Sequence, residues 1–115
     1  MTNVQIYKKE NNIIGFVVSG HSGYAREGSD IVCSAISTLA QSACVGLENV
    51  LNLKPQIKID ENTAYLSCYL PKLNNSQMSK AQIVLNTFEK SVNLILLGDK
   101  KIKKYINLEV KNEIY

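Results

Sequence analysis

Metal ligands are scarce in this chain: one histidine, three irregularly spaced cysteines and no C-x-x-C pair. With a single histidine and no C-x-x-C pair a zinc site is poorly supported, and neither a metal nor any other cofactor is expected. An odd cysteine count without regular spacing is no disulfide framework. Cys33 and Cys44 fall on one expected helix. At ~1.5 Å rise per residue they stand roughly 16 Å apart, well beyond the ~7 Å that a disulfide tolerates. Long apolar runs are missing too. The best candidate, Val92 to Leu97, is interrupted at Asn93, so no membrane span is expected. The opening "MTNVQIYKKE" has no stretch of signal-peptide length, and a cytoplasmic protein is expected. With no repeats and no disordered linker, residues 1–115 read as one domain.

What is present suits a packed core, with 45% hydrophobic and 20% charged residues. The net charge of +3 is mild, and much of it comes from "KKIKK" at Lys100 to Lys104. These lysines are expected to solvate a turn and guard a strand edge. No aromatic platform or RNA-binding motif accompanies them, so direct RNA binding is not expected.

Apolar periodicity divides the chain into seven elements. Val4 to Lys8 and "IIGFVVSGH", in which Ile14, Phe16 and Val18 alternate, read as strands around an Asn11-Asn12 turn. Val32, Ile36, Leu39, Ala43, Leu47 and Val50 recur at helical spacing, with Ser29 or Asp30 as N-cap. Gln56 to Ile59 and Thr63 to Leu70 read as strands, and Cys68 falls on the core side of the second. A second helix carries Ala81, Val84, Leu85, Phe88, Val92 and Ile95 and stops at Gly98. Ile106, Leu108 and Val110 alternate in a last strand. The expected class is α+β, ordered β-β-α-β-β-α-β: a mostly antiparallel or mixed sheet with two helices on one face. The free sheet face leaves room for a dimer.

The chemistry concentrates in "SGHSGYAREGSDIVCSAIS", Ser19 to Ser37. His21 follows a strand end, glycines at 20, 23 and 28 ease a turn back, and Cys33 opens a helix. With Asp30 as N-cap, Cys33 takes the third helical position, near unpaired N–H groups and the positive end of the helix dipole. Both favour the nucleophilic thiolate. Cys33 lies at the edge of the apolar stripe; Cys44, on the same stripe three turns on, is assigned to packing. A neutral imidazole that takes up the thiol proton completes the minimum apparatus for acyl transfer.

The stretch resembles the signature of the ribosomal-processing cysteine proteases, the Prp family. The matching residues are Gly20, His21, Gly23, Gly28, Asp30, Ile31, Val32, Cys33, Ala35, Ile36 and Ser37, and length and element order fit as well. Ser22 and Ser34 stand where alanine is common in the family. The resemblance implies a cysteine endopeptidase that removes an N-terminal extension from bacterial large-subunit ribosomal protein twenty-seven. The cut would fall after an aromatic residue in an apolar segment. It also implies a homodimer and a mobile loop, Ser22 to Ser29, containing Gly23 and Gly28. Cys33 would be the nucleophile and His21 the general base, with backbone N–H groups at the helix start facing the oxyanion. Asp30 and Ser37 match near the site. Asp30 is equally explained as an N-cap, and Ser37, one turn after Cys33, as bonding back to its own helix.

Two further readings compete. One is a non-enzymatic assembly factor that binds a ribosomal protein or rRNA through Lys100 to Lys104. The other is a thiol switch at Cys33, which leaves His21 and the glycines unexplained.

Overall fold

The computed structural model describes residues 1–20, 27–98, 101 and 103–113. Strands β1 (Thr2–Lys9) and β2 (Asn12–Ser19) form an antiparallel hairpin. Its turn is Glu10-Asn11, one residue earlier than expected, with φ of 52° and 68°. Two successive positive φ values make a type I′ turn, whose twist matches the flanking strands. Helix α1 (Glu27–Val45) follows, and a wider helical turn extends it over Gly46–Val50. Strands β3 (Gln56–Asp60) and β4 (Tyr65–Tyr69) make a second hairpin. Helix α2 (Asn75–Gly98) and strand β5 (Ile106–Asn112) complete the chain order.

The sheet runs β3-β4-β2-β1-β5, antiparallel throughout except for the parallel β1–β5 pair. The expected α+β order and mixed sheet are therefore present. Val4, Ile6, Phe16, Val18, Leu66 and Cys68 turn to the helix side and are buried. They meet Val32, Ile36, Ala40 and Leu47 of the α1 segment and Ala81, Leu85, Phe88 and Val92 of α2. The Phe16 and Phe88 rings stack with centroids 4.5 Å apart, tying the central strand to α2. On the opposite face Tyr7 and Tyr69 pack ring to ring at 5.8 Å. The Tyr69 ring occupies the space that a Cβ on Gly15 would need.

Two polar devices fix α2. Asn74 and Gln77 form a reciprocal capping box: Gln77 N–H donates to Asn74 Oδ1 at 2.8 Å, and Asn74 N–H to Gln77 Oε1 at 3.0 Å. Gln82 grips β2 by accepting from Ile13 N–H and donating to Ile13 C=O, both at 2.8 Å.

Two expectations need correction. Helix α1 begins at Glu27, so Gly28 and Ser29 lie in its first turn and Asp30 is its fourth residue, not its N-cap. The apolar stripe marks only the part of a helix that meets the core, and α1 starts before that part. Secondly, Ile31–Val50 spans 20 residues and is long and apolar enough, by length and composition, to cross a bilayer. A search for unbroken apolar runs misses it because serines, threonine and glutamine interrupt it. In the fold its buried residues form one face against the sheet, the pattern of an amphipathic core helix.

Candidate functional site

Cys33 is the seventh residue of α1, between the fully packed Val32 and Ile36, and its side chain is half-buried. At 100° per residue, the buried stripe of Val32, Ile36 and Ala40 lies on one side of Cys33. Ser37 and Gln41 continue the other flank at i+4 and i+8. The thiol thus sits at the edge of the stripe, as its spacing suggested. Its place beside the helix start does not hold. The unpaired N–H groups belong to the first four residues, and the dipole's effect fades beyond the first turn. The donors of Glu27, Gly28 and Ser29 lie more than a turn before Cys33, and that of Asp30 three residues before it.

The end of β2 explains the glycine before the histidine. Gly20 has φ of +105°, and a Cβ there would overlap the Met1 carbonyl oxygen. Only glycine lets the chain leave the sheet at this point, where it leads directly to residue 21. His21 and Gly23, with the rest of 21–26, lie outside the described residues, as do Lys100 and Ile102 of the lysine cluster. Gly28 and Asp30 are placed by the α1 backbone alone. Lys103 and Lys104 are exposed beside the edge strand β5, and Lys104 lies 5.1 Å from the Tyr105 ring centroid.

Between α1 and the β3–β4 hairpin lies a cavity of about 210 Å³. Val18, Ala40, Ile59 and Leu66 supply its apolar wall, Ser37 and Gln41 its α1 rim. Asp60, Glu61, Ala64 and Tyr65 close the hairpin side. Ser37 lies one turn, about 6 Å, along the helix from Cys33, and Val18 is three residues before His21. The sequence alone did not suggest the hairpin's part, because the strand order that brings residues 59–66 beside α1 leaves no local signal. A larger groove of about 680 Å³, between the end of α2 and β5, is lined by Lys90, Leu94, Leu97, Lys103 and neighbours. Among the described residues of the motif none lines it.

The other two cysteines are structural, as expected. Cys44 of α1 and Cys68 of β4 are buried and hydrogen-bonded to each other. That bond, and then burial, push the Cys68 thiol well above the usual thiol range.

A half-exposed thiol on a helix flank, with a partly apolar recess one turn away, suits a thiol-dependent hydrolase. The chain belongs to the cysteine protease Prp family, which it matches over residues 1–107. It is 25% identical over 77 residues to the ribosomal processing cysteine protease Prp of Bacillus subtilis (strain 168), covering 66% of this chain and 69% of that protein. Among solved structures, SMU.848 from Streptococcus mutans superposes with a TM-score of 0.84 at 20% identity, over 98% of this chain and 96% of its own. The S. aureus ribosomal processing protease Prp in complex with a substrate peptide gives a TM-score of 0.81 at 20% identity, over 96% and 100%. At such identities the superpositions speak for the fold.

Proposed function

We propose that this chain is a cysteine endopeptidase that removes an N-terminal extension from bacterial large-subunit ribosomal protein twenty-seven, cutting after an aromatic residue. The observation that carries the reading is Cys33: a half-exposed thiol, inside a family-matching motif, on the helix flank that borders the cavity. His21 takes the thiol proton, and the Cys33 sulfur attacks the scissile carbonyl carbon. The tetrahedral adduct collapses as His21 protonates the leaving amine, and the new amino terminus departs. The thioester that remains is hydrolysed by water, whose proton His21 accepts, and the thiol is expelled. Asp30 and Ser37 share helix α1 with the nucleophile and support it without a catalytic step of their own. The enzyme works as a cytoplasmic homodimer, and sedimentation equilibrium at micromolar concentration reads twice the chain mass.

The test is cleavage of the extended ribosomal protein by purified variants. Cys33→Ala and His21→Ala each remove detectable cleavage, while the thermal midpoint of Cys33→Ala stays within about 2 °C of the parent, as expected where truncating a half-exposed side chain leaves no closed cavity. Undiminished cleavage by Cys33→Ala protein overturns the reading.

A further inference from the structure

The cavity between α1 and the β3–β4 hairpin has properties that the hydrolytic step does not require. Its volume of about 210 Å³ exceeds the ~150 Å³ in which a protein cavity accepts a benzene ring. Ile59, at its mouth, is 62% exposed although it lies on the helix side of β3, where apolar side chains are otherwise covered. The mouth also carries two carboxylates, Asp60 and Glu61, and among the described residues no lysine or arginine lines it. That acidic rim stands on a chain of net charge +3. The Asp60 carboxylate already accepts from Asn62 N–H at 3.0 Å, which fixes its position on the rim. Ser37 sets the cavity beside the helical segment of the motif, within about two residues' length of extended peptide from Cys33.

We propose that this cavity is a specificity site for peptide substrates: it takes a large apolar side chain near the scissile bond, while Asp60 and Glu61 select a basic group within one or two residues of it. The inference rests on the protease reading and adds a charge requirement to it. The apolar wall supplies burial of the side chain, and the covered face of Ile59 is part of that burial. The carboxylates act at the rim, in contact with solvent. Their effect is therefore a moderate preference that weakens with salt.

The test uses two synthetic peptides, each with phenylalanine at the cut and either lysine or glutamate two residues away. Wild-type protein at low salt is expected to cleave the lysine peptide about fivefold to tenfold more efficiently in kcat/KM, the range of two rim charges. In Asp60→Asn/Glu61→Gln protein the preference falls below about twofold. Asparagine keeps an oxygen for the Asn62 N–H, so the turn is retained. Gln41→Trp, an exposed position on the rim, narrows the cavity and raises KM with little change in thermal midpoint. In parallel, fluorescence anisotropy measures binding of the same peptides to Cys33→Ala protein. Cleavage of both peptides with a preference that survives the double substitution overturns the specificity site and leaves the protease reading standing. Carboxylate-dependent binding without cleavage by the wild type keeps the site and overturns the protease reading. Neither binding nor cleavage overturns both.

Discussion

Gly20 is the residue on which the exit from β2 depends. Alanine there would adopt φ near +105° with its Cβ against the Met1 carbonyl. The expected loss for Gly20→Ala is about 2 kcal/mol or more, read by denaturant unfolding. Its kcat/KM is expected to fall further than folding alone explains, because residue 21 is displaced. The motif around this glycine was legible because its residue types serve chemistry and backbone geometry locally. Cys33 at the edge of the apolar stripe was legible for the same reason: helical spacing decides it. The start of α1 was not, since Glu27, Gly28 and Ser29 precede the residues that meet the core and carry no apolar signal. Nor was the cavity, which joins Ser37 and Gln41 to residues 59–66 of another hairpin. Contacts of that kind arise from strand order.

At the scale of elements, Gln82 does what no apolar side chain could do in its place. The β1–β2 register shifts between Tyr7 and Lys8, and a helix side chain pairs both backbone groups of the buried Ile13. Gln82→Leu keeps the packing volume but leaves an N–H and a C=O without partners. The expected cost is about 2–4 kcal/mol in chemical denaturation. Asn74→Ala, which removes one half of the capping box, is expected to cost about 1 kcal/mol. The strands and both apolar helix stripes could be read from periodicity. The Gln82 clamp could not, because a glutamine at a helix position usually faces water.

The whole molecule reports on its buried thiol pair through pH. Two adjacent buried thiols do not both ionise, so Cys68 keeps its proton in the fold when the unfolded chain has lost one. The folded value of Cys68 lies above its unfolded one, so its contribution is fully present below about pH 8.5. It is lost as pH rises, at about 1.4 kcal/mol per pH unit for one retained proton. The Cys44–Cys68 hydrogen bond lowers Cys44, which offsets part of that loss where it begins and leaves the net decline to higher pH. Burial, with Tyr7 next, raises Tyr69 as well and adds to the decline at still higher pH. Denaturant titrations at pH 9, 10 and 10.5 are expected to show falling stability. Cys68→Ala protein is expected to be less stable at neutral pH and to show a flatter decline. An equally steep decline in that variant overturns the assignment.

The parallel pairing of β1 with β5 sets a timetable for synthesis. Asn107 Nδ2 donates to Asn3 Oδ1 at 3.3 Å across 104 residues of chain, and the strands pair from Thr2–Ile106 to Lys8–Asn112. At translation rates of about 5–20 residues per second, roughly 5–20 s separate the emergence of the two partners. Throughout that interval the outer edge of β1 is bare while β2 already covers its other side. A bare edge is a template for any extended segment nearby. The nascent chain is therefore open to strand pairing with a neighbour on the same message until β5 emerges and occupies that edge.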